Sequence, residues 1–286
     1  MHKRWTTPIA SLALVGLLLG GCGDDDDDDD AATDTTEQTE TTEATDTTEA
    51  AGEGDLAAYC DATLAVETAP EPEIDFESLS PEEQAEAAKT FATEDIRPIV
   101  DDIVAVAPEE IADDLALLDD ALREVEETGD FAAFEAPGVE DASDRLHDFD
   151  LASCEWAAVD VTAVEYAFED VPATLDAGPT SFEFANEGNE LHEMVLFRKN
   201  DGVTLSAEEL LALPEEEATA QVTDVAATGA DPGDDEYAVV DLESGDYAMV
   251  CFIPTGATSE ESFEDPSLEE APPHFTQGMI AEFTVE

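Results

Sequence analysis

Basic side chains are scarce in this sequence of 286 residues. It has 8 Lys and Arg against 76 Asp and Glu, which gives a formal net charge of −68. Proteins that bind DNA or RNA neutralise phosphates with clusters of Lys and Arg. The sequence contains no such cluster, and nucleic acid is therefore excluded as a partner.

The excess of acid is not confined to one tail, because 62 of the 76 acidic residues follow residue 54. Like charges at this density repel one another unless salt or cations screen them. Two interpretations are open: adaptation to saline surroundings, and an acidic docking face for a basic partner. The even spread of the charge favours the first.

The N-terminal apolar run, Ile9 to Leu19, is too short to cross a bilayer as a helix. It follows the basic stretch His2-Lys3-Arg4 and precedes Leu19-Gly20-Gly21-Cys22, which looks like a bacterial lipobox. We expect residues 1–21 to be a signal peptide and Cys22 to be acylated. Lipid at Cys22 would anchor the protein to the extracytoplasmic face of the cell membrane. The alternative is an ordinary cleaved signal followed by a chance Cys.

The next segment, residues 22–54, forms the predicted linker. Between Cys22 and Glu49 it has no apolar residue larger than Ala. Beyond Cys22 it contains seven consecutive Asp, from Asp24 to Asp30, and then Thr/Glu/Asp repeats. A segment with nothing to bury cannot form a core. We therefore expect a disordered acidic linker that holds the rest of the chain away from the membrane.

Residues 55–156 have the pattern of a helical domain. Ser80-Pro81-Glu82-Glu83 is a capping-box sequence with Pro at the first helical position. Another helix is predicted from Pro108 to a stop at Gly129. Its apolar face consists of Ile111, Leu115, Leu118, Leu122 and Val125, at spacings of four, three, four and three. These segments predict a small antiparallel bundle.

From residue 157 to residue 286, apolar and polar residues alternate over short runs that Gly, Pro and Asp separate. Tyr247, Met249 and Cys251 share one face of a predicted strand, and Phe283 and Val285 share a face of another. Several short strands with turns between them predict a β-sandwich. The fold class is therefore α+β with two domains.

Cysteine is also scarce, with four residues in the chain. An exported protein sits in an oxidising compartment, where pairs of thiols form disulfides. If lipid occupies Cys22, three remain. Cys60 and Cys154 bracket the helical region and could pair, whereas the alternative pairs Cys251 with one of them.

The four histidines include two in the β-domain, His192 and His274, which also contains Cys251 and Met279. His, Cys, His and Met in this chain order are the ligand types of a type 1 copper site. Thiolate and imidazole suit both Cu(I) and Cu(II), and a weak axial thioether lets the geometry change little between them.

Residues 160–286 resemble the plastocyanin-like cupredoxins. The resemblance rests on Phe184-Ala185-Asn186-Glu187-Gly188 before His192, on the strand Gly245 to Cys251, on the spacing from His274 to Met279 with Gly278 before the Met, and on the closing strand Glu282 to Val285. It implies one copper ion, with His192, Cys251 and His274 as equatorial ligands and Met279 as the axial one.

The resemblance further implies a one-electron carrier with a redox partner of unknown identity. Two departures stand against the family's pattern: an insert from Thr255 to Ala271, and Glu193 where the family usually has Asn.

The sequence has no nucleophile elbow, phosphate loop or HExxH, and we expect no enzyme activity. The alternatives are a metal-free scaffold or binding module and a copper-delivery protein with a copper-exchange partner. His147, beside Asp148, is expected at the surface.

Metabolic labelling with a fatty acid tests the anchor. Cells that express the protein should yield labelled product, and Cys22→Ser should abolish the label because the acceptor thiol is gone. A soluble, unlabelled wild-type protein would contradict the prediction.

Overall fold

A computed structural model describes residues 53–68, 79–259, 262, 267–268 and 270–286. The predicted signal peptide, Cys22 and nearly all of the acidic linker lie outside these residues. Within them the α+β fold class is confirmed, since the residues before Ala157 form helices and all of the described strands follow from Ala157 onward. No helix in the described part is long and apolar enough to cross a membrane.

Five α-helices make up the described N-terminal part. They are α1 (Glu53–Glu67), α2 (Pro81–Phe91), α3 (Arg97–Val106), α4 (Ala112–Thr128) and α5 (Val139–Ser153). Shorter π and 3₁₀ turns occupy Ala92–Ile96, Glu109–Ile111 and Phe131–Glu135.

The local signals in the sequence account for the helix ends. The backbone N–H of Ser80 donates to the Glu83 carboxylate over 3.0 Å, which completes a capping box at the start of α2. Gly129 ends α4 in the left-handed conformation (φ 74°), and its N–H donates to the Val125 carbonyl. The helix predicted from Pro108 opens with a 3₁₀ turn and becomes α-helical at Ala112.

A disulfide joins Cys60 in α1 to Cys154, the residue after α5. It closes a loop with a sequence separation of 94 residues, and the two Cα atoms are 5.3 Å apart. Cys251 is left as a buried free thiol. The alternative pairing of Cys251 with another Cys is therefore wrong.

The C-terminal part contains nine described strands in two sheets. The strands are β1 (Ala157–Val164), β2 (Ala167–Glu169), β3 (Thr174–Leu175), β4 (Gly178–Asn186), β5 (His192–Lys199), β6 (Val222–Ala230), β7 (Asp235–Leu242), β8 (Gly245–Val250) and β9 (Ile280–Val285). One sheet has the order β2-β1-β4-β7 and the other β3-β9-β8-β5-β6. Short helices α6 (Ala207–Leu211) and α7 (Glu215–Thr219) lie between β5 and β6.

The core of the sandwich lies between the two sheets. Phe182 and Phe184 of β4 pack there with Met249 of β8 and Phe283 of β9, and all four are buried. The alternation seen in the sequence has this cause, because neighbouring residues of a strand point to opposite faces.

The pairing of β8 determines where the loops meet. It lies antiparallel to β5 on one side and to β9 on the other. The start of β5, the end of β8 and the start of β9 therefore come together at one end of the sheet. His192 begins β5, Cys251 follows β8 directly, and Met279 directly precedes β9.

The helical part packs on the outer face of the four-stranded sheet through α5, and α1 also contacts β7. His147 Nε2 lies 3.1 Å from Glu183 Oε1 on β4, and the His147 ring stacks on Tyr237 of β7 with centroids 3.6 Å apart. The expectation that His147 lies at the surface is wrong. Its neighbour Asp148 is exposed, but His147 shares the buried face of α5 with Leu146.

Removing the disulfide should lower the stability of the protein. The double variant Cys60→Ser, Cys154→Ser should lose about 4–5 kcal/mol of unfolding free energy in the chain-entropy model, because the unfolded chain is no longer constrained by a long loop. Chemical denaturation followed by circular dichroism measures this. Reduction of the wild type should produce the same loss. A double variant as stable as the oxidised wild type would refute the prediction.

Candidate metal centre

Three of the four predicted ligands meet at the end of the five-stranded sheet. The Nδ1 atoms of His192 and His274 are 3.1 Å apart, and Cys251 Sγ lies 3.4 Å from His274 Nδ1. One ligand atom from each of the three residues lies within 4.8 Å of the others. All three side chains are fully buried.

Burial sets the protonation of these groups. It lowers the pKa of His192 to about 4, with the neighbouring His274 as the second cause, and it lowers the pKa of His274 despite the opposing Glu190 carboxylate. Both imidazoles are therefore neutral at neutral pH, with a lone pair for a metal. Burial raises the pKa of the Cys251 thiol well above its usual range, so the thiolate forms only when a cation compensates its charge.

Glu190 fixes the orientation of His274. Its Oε2 accepts from His274 Nε2 over 3.0 Å and from the Gly256 N–H, while its Oε1 accepts from the Tyr166 hydroxyl. Burial alone would raise the pKa of Glu190, but these hydrogen bonds lower it. A carboxylate that holds the Nε2 proton leaves Nδ1 unprotonated and turned toward Cys251.

Asn186, at the end of β4, holds the loop that leads to His192. Its side-chain nitrogen donates to the carbonyls of Glu190 and Ala230, and its oxygen accepts from the Gly188 N–H. A Cβ atom at Gly188 would lie 2.7 Å from His192 Nε2, so a glycine is needed there. His192 Nε2 has no hydrogen-bond partner among the described residues. The polar contact of the His192 ring is made by Nδ1, which faces His274.

Glu193 ties the first ligand strand to the second. Its backbone N–H donates to Cys251 Sγ over 3.5 Å, and its carboxyl Oε1 accepts from the Phe252 N–H over 2.7 Å. Burial raises the pKa of Glu193 to about 7, although the hydrogen bond from Phe252 opposes the rise. The residue that departs from the family's pattern thus connects β5 to the residues after β8.

Met279 is fully buried in the sandwich core together with Cys251. Its carbonyl accepts from the Cys251 N–H, and the Phe275 N–H donates to the Cys251 carbonyl. A third main-chain bond runs from the His274 N–H to the Ile253 carbonyl. The loop with the third and fourth predicted ligands is therefore fastened directly to the strand end that holds Cys251.

The insert does not pull the ligand loops apart. Pro254 and Pro273 form a β-bridge, and Thr255 donates to the Pro272 carbonyl from both its N–H and its hydroxyl. The chain thus leaves and re-enters the site at adjacent points. Closing a longer loop outside this clamp costs little additional free energy, because the entropic penalty grows slowly with length.

The three donors fit one copper ion. A nitrogen bonded to a transition metal lies about 2 Å from it and a thiolate sulfur about 2.3 Å, so atoms that share an ion lie at most about 4 Å apart. The separations of His274 from His192, 3.1 Å, and from Cys251, 3.4 Å, meet this limit, and the third pair of donor atoms lies within 4.8 Å. Two imidazoles with one thiolate, and a Met close in the chain, are the ligand types of blue-copper sites.

The sequence did not indicate two residues of this centre, Glu190 and Tyr166. It also did not indicate that Glu193 supports the ligand strands. Glu190 and Glu193 flank His192 within two residues, and that proximity was the available signal. In a chain with 76 carboxylates, proximity to a ligand does not distinguish a buried Glu from a solvated one.

No protein-family model and no curated protein matches this chain. Among solved structures, reduced auracyanin from Roseiflexus castenholzii is 21% identical, with 46% of this chain and 97% of that chain covered and a TM-score of 0.29. Auracyanin A, described as a "blue" copper protein of Chloroflexus aurantiacus, is 15% identical over 46% of this chain and 98% of its own, with a TM-score of 0.27.

A multi-copper oxidase from Pediococcus acidilactici is also similar, at 12% identity and a TM-score of 0.25. The match covers 46% of this chain and 26% of the oxidase. These identities and TM-scores are too low to establish membership of a family. The case for a metal therefore depends on the buried side chains of this chain.

Replacement of Glu193 tests its role as a tie. Glu193→Ala removes the carboxyl oxygen that accepts from the buried Phe252 N–H and should lower the unfolding free energy of the metal-free protein by about 1–3 kcal/mol. Glu193→Gln keeps an acceptor oxygen and should lose less. Chemical denaturation measures both, with the exposed Glu187→Ala as a matched control. Wild-type stability of Glu193→Ala would argue against the tie.

Proposed function

We propose that this protein holds one type 1 copper ion and carries single electrons at the extracytoplasmic face of the cell membrane. The observation that carries the proposal is the fully buried cluster of His192, Cys251 and His274. Two neutral imidazoles and a thiol that requires a cation to ionise form a site prepared for a soft transition metal.

Copper bound there would supply a one-electron couple. The contribution of the protein is to keep the donors in place: Glu190 holds His274, Asn186 holds the loop before His192, and Glu193 holds Cys251 and the residue after it. Donors that are fixed in this way change position little when the charge of the site changes, which favours fast electron transfer.

The buried donors also favour a carrier over an enzyme. A substrate that reacts at a metal needs an open coordination position that it can reach. Here the three donor side chains are fully buried, and the loop from His274 to Met279 is bonded to the backbone of Cys251. Such a site supports electron exchange through the protein without contact between a substrate and the metal.

Copper delivery is the second candidate function, because Cys, His and Met also transfer Cu(I). A delivery site must release its ion to a partner. The clamp at Pro254 and Pro273 and the hydrogen bonds of Glu190 favour retention instead. The metal-free scaffold, the third candidate, gives no reason for three metal-binding side chains to converge in a core.

The lipid anchor at Cys22 and the acidic linker complete the proposal. They would keep the copper domain near the membrane, where a redox protein partner could reach it. The strong negative charge of the chain suits saline surroundings, in which salt screens the repulsion between its carboxylates.

A metal assay with a visible spectrum tests the copper site. Reduced protein given one equivalent of copper and then oxidised should show an intense band from thiolate-to-copper charge transfer. Cys251→Ser should erase the band, because the thiolate is lost. Met279→Leu should keep the copper and raise the reduction potential, since a weak donor that favours Cu(II) is removed.

Met194→Leu is the matched control, because Met194 is a second fully buried Met of the same core. It should leave both the spectrum and the potential unchanged. Colourless wild-type protein would refute the proposal. Copper that binds Cys251→Ser as tightly and with the wild-type spectrum would also refute it, because such copper would be held elsewhere.

A further inference from the structure

The helical part contains a partly open cavity of about 70 Å³ that the copper proposal does not use. Helices α1, α3, α4 and α5 surround it, and Tyr237 of β7 closes it from the side of the sandwich. Most of its wall is aliphatic, including Ile103 of α3 and Leu115, Leu118 and Leu122 of α4. Spaces between the helices of a bundle are common places for small ligands.

One end of the cavity is acidic. Asp150 of α5 lines it with only 4% of its surface exposed, and its Oδ1 atom has no hydrogen-bond partner among the described residues. The Tyr59 hydroxyl is hydrogen-bonded to the Asp150 carboxyl, and Thr63 and Glu67 of α1 complete this end. A buried carboxylate oxygen without a partner is costly, and one that faces a cavity indicates a missing donor.

No basic side chain of the described part supplies that donor. None of the residues that line the cavity is Lys or Arg. The six Lys and Arg that the structure describes form ion pairs with carboxylates outside the cavity, and His147 Nε2 faces Glu183. Burial raises the pKa of Asp150 to about 7, and burial with the nearby Asp150 raises that of Glu67 to about 8.

We propose that this cavity binds a small aliphatic amine as its ammonium ion, with the charged nitrogen on the free Asp150 oxygen. The ammonium group supplies both the missing donor and the missing positive charge. The hydrocarbon part lies against the leucines of α4. The sign of the charge follows from the wall, which has two carboxyl groups and neither Lys nor Arg; its one imidazole, His147, is paired through Nε2 with Glu183 outside the cavity.

Other small cations fit less well. Calcium takes six to eight oxygen ligands and magnesium an octahedron of them, and neither suits a wall that is mostly aliphatic. Size sets the upper limit on the amine. An engineered cavity of 150 Å³ accommodates benzene, so about half that volume suits three or four non-hydrogen atoms. Propylammonium has four.

Titration of the full-length, copper-free protein with propylammonium tests the site. Calorimetry in about 1 M NaCl, where the Debye length is roughly 3 Å, suppresses weak binding to the many surface carboxylates. We expect one saturable site. Propan-1-ol has the same shape without the charge and should bind at least about tenfold more weakly, as expected when a charged hydrogen bond is lost.

Two variants locate the binding. Asp150→Asn keeps the size of the side chain and should weaken propylammonium binding at least about tenfold. Leu118→Phe reduces the cavity without changing its charge and should also weaken binding. Asp148→Asn, on the exposed side of the same helix, is the matched control and should bind as the wild type does.

Several results would overturn the proposal. Binding that Asp150→Asn and Leu118→Phe leave unchanged would place the amine on surface carboxylates. No saturable binding by the wild type would mean that a proton alone neutralises Asp150. If the wild-type protein failed to bind copper, that result would contradict only the proposed function. The cavity shares no residue with the metal centre.

Discussion

The antiparallel pairing of β8 with both β5 and β9 is the constraint on which the metal centre depends. It brings together three chain positions that are far apart in sequence, since His192 and His274 are separated by 82 residues. A shift of one residue in either pairing would turn the ligand side chains to the opposite face of the sheet. Burial opposes such a shift in β9, where Phe283 and Val285 are buried and Glu282 and Thr284 are exposed, because the shift would expose Phe283.

Desolvation governs the chemistry at this end of the sheet. The same burial that keeps both imidazoles neutral keeps the Cys251 thiol protonated, so the cluster without an ion has no net charge. His192, Cys251 and His274 would hold a cation in place of its water, and Cys251 would release its proton to solvent to bind as the thiolate. Two buried or half-buried carboxyl groups, Glu190 and Glu193, hold the surrounding loops without pointing at the cluster centre, since both are hydrogen-bonded to backbone N–H groups.

Much of this arrangement was predictable from the sequence, where a periodic pattern or a rare residue type gave the signal. Helix starts at Ser80, the stop at Gly129 and the buried face of β8 follow from local rules. The four candidate ligands stood out because His, Cys and Met are rare in this chain. Glu190 could not be identified in this way, because its role depends on contacts with Tyr166 and Gly256, which are distant in sequence.

The position of His147 is a second case that local sequence patterns did not predict. A His next to an Asp at the end of a charged helix has the pattern of a surface residue. Its burial depends on which face of α5 the four-stranded sheet covers, and that is decided by the partners Glu183 and Tyr237 from another part of the chain. The acidic end of the helical cavity escaped notice for the same reason, since Asp150 is one carboxylate among many.

The disulfide has a mechanical consequence. Cys154 lies three residues before β1, and its partner Cys60 lies within the first described helix. A force applied to the chain ahead of α1 passes from Cys60 through the sulfur atoms to Cys154 and then into the sandwich. The 93 residues between the two cysteines are outside this load path. Tension on the N-terminal side would therefore reach the β-sandwich while most of the helical bundle, with its cavity, bears none of it.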